Sequence, residues 1–208
     1  MLHDDASLPP GSDTPVETGS AAPLPDASGR TPVCAIERVS EISEEDLAAL
    51  CEATDAAIIE GGGFGWLSPP GRLVLEGYFR GVLLVPERDL YLARLDGVVV
   101  GSAQLVRMPR NNEAQAFSAT LMHAYLAPYA RGHGLGRMLL KRAEEGARAV
   151  GFQVLNLDLR ETQTAAIALF ESLGYTRWGE HPAYARVAGR TVRGFYYCKM
   201  LQDEDRRP

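Results

Sequence analysis

The chain has 208 residues, 46% of them hydrophobic and 23% charged, with a formal net charge of −6. That is ordinary globular composition, with apolar material for one sizeable core. Residues 1–32 hold five acidic residues and one arginine, which leaves the rest near −2 (20 basic, 22 acidic); this argues against a nucleic-acid surface, and no apolar run reaches membrane-spanning length.

Residues 1–32 also hold six of the 13 prolines and no aromatic residue. Such a stretch cannot offset its ordering entropy by burial, so a disordered acidic tail is expected, without the basic start and apolar run of a signal peptide. "VCAIERV" (33–39) predicts a strand. "SEEDLAALCEATDAAIIE" predicts a helix with Ser43 as N-cap and Asp46 at the capping-box position. "GGGFGW" (61–66) breaks it, and "SPPGRLVLEGYFRGVL" predicts a shorter helix with proline at its start. "DLYLARLDGVVVGSAQLVRM" reads as two strands joined by Asp96-Gly97, a hairpin signal. A long strand is expected over 116–126 and a helix over about 134–150, with Leu135, Met138, Leu139, Ala143, Ala147 and Val150 on one face. "FQVLNLDL" (152–159) predicts a strand and "TAAIALFESLG" (164–174) a helix closed by glycine. Two strands, near 175–184 and 191–201, complete the domain, and 202–208 is a short polar end. The order β α α β β β α β α β β is that of a mixed α/β domain with a largely antiparallel sheet.

Cys34, Cys51 and Cys198 form no Cys-x-x-Cys pair. Buried free thiols are expected, which fits a reducing, cytoplasmic setting. Histidines 3, 123, 133 and 181 lack metal-ligand spacing, so no metal is expected.

"ARGHGLGRM" (130–138) sits between a predicted strand and a predicted helix. A helix N-terminus presents unpaired N–H groups and partial positive charge, and glycines let an anion reach them. Arg137 and Lys141 occupy the first turns, with no acidic residue before Glu144. They oppose the helix dipole by about 0.3–1 kcal/mol each unless a polyanion binds. The alternative is a glycine-rich turn with solvated basic residues. Neither the dinucleotide fingerprint nor the P-loop is present, because position 137 is arginine and no Gly-Lys-Ser/Thr occurs.

What is present, "LAPYARGHGLG" (126–136), resembles the acetyl-CoA signature of the GNAT superfamily of N-acetyltransferases, with Leu126, Pro128, Arg131, Gly134 and Gly136 in register. "QTAAIALFESLGY" (163–175) resembles the family's second pattern. The resemblance covers about residues 33–201. It implies a mixed, mostly antiparallel seven-stranded sheet with about four helices, and acetyl-CoA as acyl donor. By resemblance, the backbone of Arg131, Gly132, His133, Gly134, Leu135 and Gly136 would cradle the pyrophosphate, and Arg137 and Lys141 would reach adenosine phosphates. Tyr125 and Leu126 would pair with the pantetheine amides. Gln163 stands where asparagine is usual and can still hydrogen-bond the cofactor. Phe170 stands where a tyrosine commonly protonates the leaving thiolate, and phenylalanine has no proton to give.

The reaction implied is acetyl transfer to a primary amine of a small molecule or peptide by direct attack. The alternative is a non-catalytic acyl-CoA-binding module. A lysine-like amine, pKa near 10.4, needs a base or a desolvating site. Asp158 falls where several protein N-acetyltransferases of the family carry a catalytic glutamate; an ion-paired aspartate is the other reading. Leu126 is expected to supply a backbone N–H to the thioester oxygen. Glu113, His123 and His181 are further candidates, each also readable as structural or solvated. Phe64, Trp66 and Tyr184 offer flat apolar surface to the acceptor, and Trp66 reads equally as core. Oligomeric state, monomer or homodimer, is not legible.

Overall fold

The computed structural model describes residues 31–62, 64–109 and 111–201. The tail expected over 1–32, apart from its last two residues, and the polar end 202–208 lie outside the described residues. Pro32, assigned to that tail by composition, is buried.

The elements are β1 (Cys34–Val39), α1 (Glu44–Ile59), α2 (Arg72–Leu84), β2 (Arg88–Leu95), β3 (Val98–Arg107), β4 (Ser118–Leu126), α3 (Leu135–Ala149), β5 (Val154–Arg160), α4 (Thr164–Ser172), β6 (Thr176–Val187) and β7 (Arg190–Met200), with a short 3-10 turn at Glu113–Gln115. They build a seven-stranded sheet in the order β1-β2-β3-β4-β5-β7-β6. Every neighbouring pair is antiparallel except β4 and β5. That parallel pair is joined through α3, as a parallel connection requires. Asp96-Gly97 and Ala188-Gly189 close their hairpins with both residues at positive φ, the backbone of a type I′ turn.

Two cores flank the sheet. One joins α3 and α4 to Leu155, Leu157 and Leu159 of β5. The other joins α1 and α2 to the β2–β4 half.

Several expectations are refined. Ser43 caps α1 by accepting from Asp46 N at 3.1 Å, but the Asp46 carboxylate is held by Arg94 at 2.7 and 2.9 Å, so the capping box is half made. The prolines stay outside α2, whose N-cap is Gly71. Met138 on α3 and Val150 just past its end are 40% and 52% exposed; Leu140 and Glu144 of α3 join the core instead. Of the three free thiols only Cys51 is buried, and Cys34 and Cys198 are half-buried.

Candidate active site

The parallel pair is short. β4 and β5 are in register only from Ser118↔Val154 to Thr120↔Asn156, after which the strands part. On its other side β4 carries a bulge, with His123 and Ala124 opposite Ala103 of β3. His123 takes a φ of +49° there, and a bulge bends its strand and re-aims side chains. The parting opens a cleft of about 560 Å³. One wall comes from Ala57–Gly62 at the end of α1, the floor from Ala124–Leu126, and the other wall from residues 131–140 and 162–170.

Local backbone chemistry shapes the α3 end. Gly132 and Gly134 sit at φ +88° and +77°. A Cβ at either would meet nothing within 4 Å, so left-handed backbone, not crowding by the protein, demands glycine. Gly136 has another reason: its Cβ would press Leu169 Cδ2 at 3.2 Å. These backbone and packing requirements stand beside the ligand access expected of the three glycines. Met138 is the first α3 residue whose N–H is taken up, by Gly134 O at 3.1 Å. The N–H groups of Leu135, Gly136 and Arg137 have no acceptor among the described residues, as a helix start dictates.

The basic residues sit around these donors. Arg131 pairs with Glu60 and reaches Leu126 O at 3.4 Å. Arg137 donates to Ser172 Oγ at 2.7 Å, and Lys141 is exposed. The His133 carbonyl accepts from Cys34 Sγ at 3.8 Å. Gln163 N-caps α4, and its Oε1 accepts from Arg160 N at 2.9 Å. Phe170 is buried edge-on against Tyr175, ring centroids 5.1 Å apart, and lines the cleft with Gln163. On β4, Ala127 N donates to Val100 O at 2.8 Å. Alternation along an extended chain therefore turns the Leu126 N–H to the opposite side, toward the cleft. Tyr125 contributes backbone only, since its hydroxyl lies 2.5 Å from Thr54 Oγ1 inside the α1 core.

The α1/α2 face of the parting carries a second set of groups. Phe64 is 5% exposed and stacks on His123, centroids 5.1 Å apart and planes 8° apart. Trp66 is half-buried, 6.0 Å from Phe64 and edge-on to Tyr78 at 5.4 Å. Asp158 points to this same face, opposite Leu157 and Leu159, but it is exposed. Among the described residues no helix covers this half of the sheet, which leaves Asp158 in solvent although its strand neighbours Leu157 and Leu159 are buried. Tyr184 donates its hydroxyl to Asp158. A β6 irregularity between His181 and Ala185 lays the Tyr184 ring over Gly194, where a Cβ would overlap it. Burial, then the Asp158 carboxylate, push the Tyr184 phenol up, so it keeps its proton. Glu113 is an exposed turn residue. His181 is exposed and accepts from Ala183 N at 3.1 Å.

Two features escaped the sequence. Arg160 is 7% exposed and donates to Gly62 O and, at 3.3 Å, to Gly61 O. It straps the end of α1 to β5, and the C-terminal carbonyls of a helix suit a cation. The second is a polar chain of Arg88, Gln104, Tyr78 and His123. A glutamine inside the apolar "GSAQLV" run was its one visible signal.

The parting of the sheet at its parallel pair brings a helix start with basic side chains to one side and a carboxylate to the other. The acetyltransferase (GNAT) family matches residues 52–175, and the chain belongs to that family as an N-acetyltransferase. It is 58% identical over 128 residues to an uncharacterised N-acetyltransferase of the hisH-hisA intergenic region of Azospirillum brasilense, covering 62% of this chain and 76% of that one. It is 32% identical over 111 residues to the N-alpha-acetyltransferase RimI of Mycobacterium tuberculosis, covering 53% and 66%. In fold it resembles a phosphinothricin acetyltransferase from Sinorhizobium meliloti solved with AcCoA, at TM-score 0.68 and 22% identity over 84% of this chain and 92% of that one.

Proposed function

We propose that this N-acetyltransferase moves the acetyl group of acetyl-CoA onto a primary amine of a small molecule or peptide by direct attack. The observation that carries this reading is the α3 start: three backbone N–H groups without an acceptor among the described residues, at one end of a 560 Å³ cleft, beside Arg131, Arg137 and Lys141. That donor set fits a pyrophosphate, and the AcCoA of the Sinorhizobium relative supports the choice. Acetyl-CoA would supply an activated thioester. Leu126 N–H, turned toward the cleft, is the donor assigned to its oxygen. Asp158 is the base assigned to the incoming amine, with Tyr184 holding its carboxylate. Trp66 and Tyr184 are the aromatic side chains assigned to the acceptor, with Phe64, 5% exposed, packed behind them on His123. The new bond joins amine nitrogen to acetyl carbon, the C–S bond breaks, and the thiolate takes its proton from water, since Phe170 has none.

The test is thiol release from acetyl-CoA against a panel of small amines and peptide N-termini. Release that requires both acetyl-CoA and an amine supports the reading. Acetyl-CoA binding with no release on any amine favours a non-catalytic acyl-CoA-binding module.

A further inference from the structure

Hydrogen bonds have direction, and the chain behind His123 has only one. Arg88 Nη1 lies 3.1 Å from Gln104 Oε1, and a guanidinium can only donate. The Gln104 oxygen is therefore the acceptor, which leaves its Nε2 to donate to Tyr78 Oη at 2.9 Å. Gln104 is fully buried, so its amide has no reason to turn. With Tyr78 Oη already accepting, the phenol proton has one acceptor among the described residues, His123 Nδ1 at 2.8 Å. Were Nδ1 to carry a proton, Tyr78 would accept twice and its own proton would be stranded without an acceptor in a half-buried site. Burial holds the Tyr78 phenol above its ordinary pKa, so that proton stays in place.

We propose that His123 serves the acceptor site as a neutral Nε2–H donor, locked in that tautomer by Arg88, Gln104 and Tyr78, and that it receives an oxygen of the acceptor beside the amine. The acceptor class this selects is an amine with a nearby carbonyl, carboxylate or hydroxyl. His123 Nε2 has no partner among the described residues, and the ring is fixed in orientation by Phe64. The bulge sets it beyond the last paired register, across the parting from Asp158. The groups that bear on the imidazole agree. Burial and the Arg88 charge push it below the ordinary histidine pKa, against a smaller opposite pull from Asp158, so it is neutral where the amine reacts. The inference rests on the acetyltransfer reading for what the donor binds, but the tautomer does not depend on it.

The tautomer is read by nitrogen NMR on the intact protein labelled in histidine, without substrate, the His123 signal being the one lost in His123→Gln. A bare Nδ1 and a protonated Nε2 at neutral pH are expected; the reverse, or an imidazolium, overturns the lock. In turnover, His123→Leu is expected to raise acceptor KM about tenfold, the scale of one lost neutral hydrogen bond. His123→Gln, which keeps an amide donor, raises it less, and acetyl-CoA KM stays within twofold in both. Equal collapse of kcat in both variants by about 10²-fold or more would instead make His123 a base and overturn the proposal. Absence of acetylation with the expected tautomer overturns the proposed function and the acceptor contact but not the lock.

Discussion

Asp158 carries the proton-transfer claim on a single exposed side chain, so its substitution is informative. Asp158→Asn keeps the shape and removes the charge. Turnover at neutral pH is expected to fall by about 10²–10⁴-fold, the usual range for a lost general base, while acetyl-CoA affinity is unchanged and higher pH partly restores the rate. An active variant with an unaltered pH profile would contradict the assignment. Phe170→Tyr adds a phenol at the cleft wall; a faster enzyme would show that thiolate protonation limits turnover, and no change would leave water as the proton source. His123 also predicts a pH effect on stability. Its folded pKa is depressed, so between the folded value and about 6.5 the unfolded chain binds the proton and the folded chain does not. Its contribution is complete above about 6.5 and is lost as pH falls below it. His123→Gln should flatten that part of the curve in denaturant titrations. Gln104 apart, the partnerships behind His123 and at the end of α1 could not be found by reading along the chain: Tyr78 and His123 are 45 positions apart, and Arg160 and Gly62 are 98. Their meeting is a property of the assembled sheet.

The α3 start makes two opposed predictions at once. Arg137→Glu places an acidic residue in the first turn, where the helix dipole favours it by about 0.3–1 kcal/mol, less the bond to Ser172. It also sets a negative charge against the proposed pyrophosphate. The melting temperature without ligand is expected to hold or rise, while acetyl-CoA KM rises at least tenfold. A variant that binds acetyl-CoA normally would move the phosphate site elsewhere. This element was legible in the sequence because its signals are local: "RGHGLG" and the basic residues around it lie within a few positions of one another. The Ser43 cap and the Asp96-Gly97 turn were readable for the same reason. The exposure of Asp158 was not, because period-2 alternation assigns a face and cannot say that α1 and α2 end before they cover it.

Across the whole molecule, the split sheet divides labour. One side of the parting presents N–H groups and cations, the other a carboxylate and aromatic rings, so in the proposed reaction donor and acceptor would approach from opposite faces. The fold order was recoverable because hydrophobic period and turn chemistry agree in nearly every segment. The partial coverage of one sheet face and the bulge in β4 were not, since both depend on how layers stack. Removing residues 1–30, proline-rich and without aromatics, is expected to leave melting temperature and turnover unchanged, with Pro32 retained because it is buried; a large loss in either would show that the segment packs on the domain. The central claim, that the β4–β5 parting is where acetyl-CoA acylates an amine, is tested most directly by following an isotope-labelled acetyl group by mass spectrometry. The account predicts the label on the amine nitrogen of the product, at a rate lowered by Asp158→Asn and by Arg137→Glu through kcat and acetyl-CoA KM respectively. Label that stays on CoA with every amine offered, or that reaches an amine equally fast in both variants, would contradict it.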